Sequence, residues 1–227
     1  SGVIGGCGLG VAMITFIYSI TNTTAAVTLL CLAAMPFFTA ILAYLFLKEK
    51  ISINVWVSIA LATIGIIIMA FGNTEKNSLL GFLFGLTSSI GFSVFSVTLR
   101  WRKETPKFTT VAIAGLFCFV FAAIVIFMTK QTFFSTSFNS SMFSLHGTLV
   151  CLGLILYSIG SKAIPAAELT LLSLTEVIGG IFWVWLPLFG INEIPSTNTI
   201  VGGFFLFISL VYYSLIMRWN KRFIALN

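Results

Sequence analysis

The stretch at residues 171–189 reads LLSLTEVIGGIFWVWLPLF and carries a single charged side chain, Glu176. A helix that crosses a membrane needs roughly 20 apolar residues, and this stretch is about that long. A charge at the centre of such a helix costs about 2.5–3.5 kcal/mol on insertion scales, so it normally faces a protein interior or a wet cavity. The stretch therefore predicts a membrane crossing whose carboxylate has a structural or functional task.

The composition extends this interpretation to the whole chain. Of 227 residues, 59% are hydrophobic and 8% are charged, whereas a soluble domain carries about 25% charged residues. Lipid offers no partner for backbone polar groups, so the crossings are expected to be helices. We predict an all-α integral membrane protein with eight transmembrane helices, at residues 2–20, 25–47, 51–72, 78–99, 108–129, about 143–161, 169–189 and 194–217.

The basic residues predict the orientation of these crossings. When the connections are assigned to alternate sides, all lysines and arginines except Lys76 and Lys130 fall on one side. Lysine and arginine in short loops mark the cytoplasmic face, so both ends of the chain are predicted to be cytoplasmic, in the cell (inner) membrane. The net charge of +6 is thus a topology signal, and no nucleic-acid partner is expected because no basic stripe carries interleaved aromatics.

The residues that usually hold cofactors are sparse. The four cysteines lie inside predicted helices without a CxxC pair, and His146 is the only histidine. Buried free cysteine behaves as a small hydrophobe. We therefore expect no disulfide framework, no metal and no cofactor.

An internal repeat relates two parts of the chain. The pattern x-T-L-L-x-L occurs at Thr28 and again at Thr170, and a glutamate closes each crossing, at Glu49 and Glu193. The predicted topology places these two glutamates on opposite sides, so the copies are inverted. Inverted repeats are the architecture of many secondary transporters.

The stretch AMPFFTAILAYLFLKEKIS, at residues 34–52, has a proline followed thirteen residues later by a Lys-Glu end. Together with NEIPSTNTIVGGFFLF it resembles the EamA family of the drug/metabolite transporter superfamily. This resemblance implies a ten-helix protein with two five-helix repeats. The expected domains are residues 1–72, the last three helices of the first repeat, residues 78–217, the complete second repeat, and residues 218–227, a basic cytoplasmic tail. Two helices are then expected to precede residue 1.

The resemblance also implies a gradient-driven carrier of small metabolites, often an exporter of amino acids or related compounds. It departs where the second repeat often reads Glu-Pro, because Val177 follows Glu176 here. The expected partners are a small-molecule substrate, a coupling proton and the lipid bilayer, and a homodimer is left open.

Glu176 is the principal candidate site residue. At 100° per residue, one face of its helix carries Glu168, Thr175, Glu176, Gly179 and Trp183. We expect this face to line a cavity that binds a proton or a cationic group, since aromatic rings support cations. The alternative is a structural carboxyl that is hydrogen-bonded to a neighbouring helix.

The other candidates have stronger structural alternatives. Glu168 follows Pro165 in the first turn of its helix, where a carboxylate complements the helix dipole, with Lys162 as its expected partner. Pro36 is expected to kink the helix at 25–47 because it lacks an N–H. Met35 and Thr39 share one face there and are candidates for substrate contact, but the kink could equally serve only the helix shape.

Two other function classes remain in the sequence. A channel would show rows of polar pore-lining groups, and a membrane enzyme would show a concentrated catalytic constellation. Both features are sparse in this sequence. A non-transporting membrane scaffold is the remaining alternative, and no motif favours it. The sequence favours a transporter.

Overall fold

A computed structural model describes residues 1–71, 79–101, 107–130, 136–186 and 197–225 of the chain. Its helices are α1 (Gly2–Asn22), α2 (Ala25–Leu32), α3 (Met35–Leu42), α4 (Ile53–Phe71), α5 (Leu79–Trp101), α6 (Lys107–Thr129), α7 (Ser137–Gly160), α8 (Ala166–Leu172), α9 (Leu174–Trp185) and α10 (Thr197–Ala225). A π-helical segment, Ala43–Leu47, extends α3.

The prediction of an all-α membrane protein is confirmed. The described residues contain helices and no strand. Five helical segments are long and apolar enough to cross a membrane, namely α1, Val27–Leu47, α5, α6 and α7, and shorter apolar stretches occur at Ile53–Ile68 and Ile200–Ile216. Every predicted crossing overlaps a helix or a pair of consecutive helices. The last helix continues to Ala225, into the segment predicted to be a basic tail.

Small residues let α1 and α5 approach closely. A Cβ added to Gly91 would lie 2.6 Å from the carbonyl oxygen of Gly8 on α1, and one added to Gly85 would lie 3.0 Å from the hydroxyl oxygen of Ser19 on α1. Small residues at such interfaces allow backbones to pack without side chains between them. Gly85 and Gly91 of α5 therefore pack directly against α1.

Pro36 divides the second crossing, as the sequence predicts. α2 ends at Leu32, α3 begins at Met35, and Pro36 lies in the first turn of α3. Proline is tolerated there because the first N–H groups of a helix have no intrahelical partner.

The seventh crossing differs from its prediction as one continuous helix. α8 ends at Leu172 and α9 begins at Leu174, so the crossing is divided at Ser173 without a proline or glycine. The Ser173 hydroxyl donates to the Leu169 carbonyl at 3.1 Å, and such serine bonds to the preceding turn bend helices. Glu176 therefore lies in the first turn of α9 rather than in the middle of a long helix.

The main core holds these divided crossings together. It contains residues of α2, α3, α4, α8, α9 and α10, among them Leu30, Met35, Leu171, Leu174 and Val177. A second cluster joins α1, α5 and α6 around Phe95. In contrast, only Ser158 is buried on α7.

Candidate functional site

The junction between α2 and α3 is held by serine side chains from α5. The Ser89 hydroxyl donates to the Cys31 carbonyl, and the Ser93 hydroxyl lies 3.2 Å from the Met35 carbonyl and 2.7 Å from the Ser89 carbonyl. These bonds satisfy backbone carbonyls beside the division, where the regular helical pattern is lost. Ser93 thereby fixes Met35, one of the predicted site residues, against α5.

Thr39 carries a buried hydroxyl that has no partner in the described part of the chain. Its side chain is fully buried, and its Oγ1 makes no hydrogen bond to any described residue. A helical threonine commonly donates to the carbonyl four residues before it, which here is the Met35 carbonyl, but Thr39 Oγ1 does not do so. Because an unsatisfied buried hydroxyl is costly, a ligand or an ordered water is the natural partner for Thr39.

A polar group flanked by aromatic rings lies between α5 and α7. The Tyr157 hydroxyl is 2.8 Å from the Ser96 hydroxyl. Phe92 and Phe95 flank the tyrosine, with ring centroids 5.1 Å and 6.0 Å from it. One tyrosine therefore joins α7 to α5 by a hydrogen bond and by ring contacts.

Glu176 lies one helical turn beyond Ser173, and its N–H donates to the Ser173 carbonyl at 2.9 Å. The Glu176 side chain is exposed, although its neighbours Leu174 and Val177 are 0% and 1% exposed. The aliphatic face of α9 is therefore packed against the core, while the carboxylate stands at the edge of that face.

The other predicted residues of α9 lie on the same open surface. Thr175 is exposed, Trp183 is 54% exposed, and a Cβ added to Gly179 would meet nothing within 4 Å. The neighbouring Gly180 is different, because a Cβ there would lie 2.9 Å from Leu29 of α2. α9 thus packs through one side and leaves the predicted site face uncovered by the described residues.

Glu168 is placed apart from this surface. It is partly buried in the first turn of α8, and its Oε2 accepts a hydrogen bond of 2.6 Å from the Tyr213 hydroxyl of α10. The expected partner Lys162 is exposed, and the one ion pair among the described residues joins Arg100 to Glu49. The expected Lys162–Glu168 pair is therefore wrong, because the short connection leaves Lys162 outside while α10 supplies a closer donor.

The structure brings the predicted site residues into two groups. Met35, Pro36 and Thr39 are buried on α3, whereas Thr175, Glu176, Gly179 and Trp183 lie on the open face of α9. The groups meet through the main core, in which Met35 packs together with Leu174 and Val177. No hydrogen bond between the two groups is found among the described residues.

Sequence reasoning missed Tyr157, Ser173 and Tyr213. Each is a hydroxyl side chain inside a long apolar stretch, and that contrast is the only signal that the sequence offers. The contact between Ser96 and Tyr157 was not predictable from the sequence, because the two residues are 61 positions apart.

Comparison with known proteins shows what this chain is similar to. Residues 1–71 match the EamA-like transporter family, which confirms the resemblance seen in the sequence. An uncharacterized transporter of Helicobacter pylori strain J99 is 28% identical over 108 residues, which are 48% of this chain and 36% of that protein. A second uncharacterized transporter, from Helicobacter pylori strain 26695, is 23% identical over 183 residues, which are 77% of this chain and 60% of that protein.

The chain therefore spans less than two thirds of the length of these two relatives. A protein solved by crystallography shares the fold, with a TM-score of 0.67 and 15% identity, over 94% of this chain and 77% of that one. Apolar helices and the family match together identify a multi-pass membrane protein.

Proposed function

We propose that this chain, whose residues 1–71 match the EamA-like transporter family, belongs to a secondary transporter of small metabolites such as amino acids or related compounds. The observation that carries the proposal is the division of two crossings at related places. The second crossing divides at residues 33–34 and the seventh at Ser173, in each case shortly after the threonine of the shared pattern. Interrupted helices in corresponding positions of two repeats are the best pointer to a transporter's binding site.

The groups around these divisions suit the binding of a small polar molecule. Thr39 offers a hydroxyl that no described residue binds, Tyr157 offers a phenol among aromatic rings, and Glu176 offers a carboxylate. A carboxylate in a membrane-spanning segment is expensive to keep, and such residues normally mark substrate paths or proton relays. We propose that Glu176 binds the coupling proton or a cationic group of the substrate.

The alternative that Glu176 is purely structural has less support. Its carboxylate makes no hydrogen bond to any described residue, whereas Glu168 is held by Tyr213. A structural carboxyl in an apolar setting would be expected to have a partner such as the one that Glu168 has.

Reconstitution in liposomes tests the proposal. The probes are a mixture of radiolabelled amino acids and a pH-sensitive dye trapped inside the vesicles. We expect uptake that saturates with concentration and rises with an imposed pH gradient, because a carrier binds and releases one substrate at a time. Flux that is linear in concentration and insensitive to the gradient would instead indicate a channel.

A further inference from the structure

One arginine joins three parts of the chain at the end of the bundle where its basic residues gather. We call this the basic end, defined by Lys48, Lys50, Arg100, Lys107 and Lys162. Arg100 lies in the last turn of α5, and its Nε donates to Glu49 Oε1 at 2.7 Å. Its Nη1 donates to the carbonyls of Ser161 at 3.0 Å and Ile164 at 2.7 Å. The guanidinium therefore links the segment after α3 to the connection between α7 and α8.

The backbone before Glu49 adopts an unusual conformation that directs this side chain. The chain passes through the π-helical segment Ala43–Leu47 and then through Lys48, which has a φ of 53°. The Glu49 N–H donates a hydrogen bond to the Ala43 carbonyl at 3.4 Å. A non-glycine residue in this left-handed region costs on the order of 1–3 kcal/mol, and π-helical turns are frequent at functional sites. The Glu49 carboxylate is thus positioned by a turn whose backbone conformation is energetically unfavourable.

Close packing lies directly beside the ion pair. Ala43, Val97 and Ala166 form a small buried cluster between α3, α5 and α8, and Ala43 and Ala166 are both 0% exposed. Lys107 adds a second tie to the same connection, because its Nζ lies 3.0 Å from the Ser161 hydroxyl. The basic end is closed between α3 and α8, while Glu176 and Gly179 on α9 remain open.

We propose that Arg100, Glu49 and the carbonyls of Ser161 and Ile164 form a latch that holds the basic end shut and releases when this end opens. The proposal rests on the proposed transport function, which requires that each end of the bundle open in turn. The Arg100 and Glu49 side chains are 24% and 22% exposed. Water therefore reaches both side chains, so the ion pair can separate. A fully exposed ion pair contributes little to stability, and this pair is shielded more than that.

Distance measurements between spin labels test the latch. The labels are placed on the exposed residues Ile53 and Ala163, on either side of the ion pair, after the native cysteines have been replaced by serine. Without substrate, the unaltered latch should give one short distance. Arg100→Gln and Glu49→Gln should each add a longer distance and raise the ratio of open to closed protein by about tenfold, which corresponds to about 1.4 kcal/mol. The matched control Lys50→Gln removes an exposed neighbouring charge and should change nothing.

Glu49→Gln keeps the latch testable if the Arg100→Gln protein does not fold, because it leaves the Arg100 bonds to Ser161 and Ile164 in place. A single unchanged distance in a folded Glu49→Gln protein would overturn the latch. Transport is measured on the same preparations. Saturable uptake with unchanged distances would refute the latch alone, whereas longer distances without any saturable uptake would refute the transport proposal and leave the latch.

Discussion

Replacement of Thr39 by valine should stabilise the protein. The Thr39 hydroxyl is fully buried and has no hydrogen-bond partner among the described residues, and a buried unsatisfied donor costs about 1–3 kcal/mol. Valine keeps the branched shape and removes the hydroxyl, so the free energy of unfolding should rise by about 1 kcal/mol, the lower end of that range. Thermal unfolding in detergent without substrate, followed by tryptophan fluorescence, should give a higher Tm.

Thr28→Val is the matched control. Thr28 is equally buried, on the same divided crossing, but its hydroxyl lies 3.0 Å from the Ser19 hydroxyl of α1. Loss of an interhelical bond of this kind costs about 0.6 kcal/mol on average and up to about 1.7, so the Tm should fall. If Thr39→Val lowers the Tm as much as Thr28→Val does, the Thr39 hydroxyl already has a hydrogen-bond partner in the protein without substrate. It is then not available to bind a ligand. In liposomes, Thr39→Val should take up the amino-acid mixture more weakly than the unaltered protein.

Two further predictions concern the fold. A cysteine at Asn198 should react with an impermeant thiol reagent only from outside the cell, and reaction only from the cytoplasm would contradict the inverted repeat. Gly91→Ala should lower the Tm, because its Cβ would lie 2.6 Å from the Gly8 carbonyl oxygen and overpacking costs about 1–3 kcal/mol. Gly115→Ala, whose Cβ would meet nothing within 4 Å, should keep or raise the Tm, since alanine favours helix by about 1 kcal/mol. Equal Tm values for the two glycine variants would show that α1 and α5 are not packed so closely.

The crossings were predictable because their signals are local. A long apolar run predicts a helix in lipid wherever it occurs, and the division at Pro36 follows from one missing N–H. The division at Ser173 has no such signal. Ser173 there donates to the carbonyl of the preceding turn, and the same serine in a continuous helix would look identical in sequence.

The partners within the site were predictable only in part. The burial of Met35 and Thr39 follows from their shared helix face, and Glu176 was distinguished by its charge alone. The Glu168–Tyr213 bond and the Arg100–Glu49 pair each join residues about fifty positions apart. Sequence spacing says nothing about such contacts, because they depend on how separate helices pack.

The pH dependence of uptake by Glu176→Gln tests the central claim most directly. Glutamine keeps the shape and the hydrogen-bonding capacity of the side chain but cannot take up a proton. The variant should fold with an unchanged Tm, and its uptake of the amino-acid mixture into liposomes should lose its response to an imposed pH gradient. Glu168→Gln, whose carboxylate is held by Tyr213, should keep that response. If Glu176→Gln takes up the mixture with the pH profile of the unaltered protein, Glu176 is structural and the proposed coupling site is wrong.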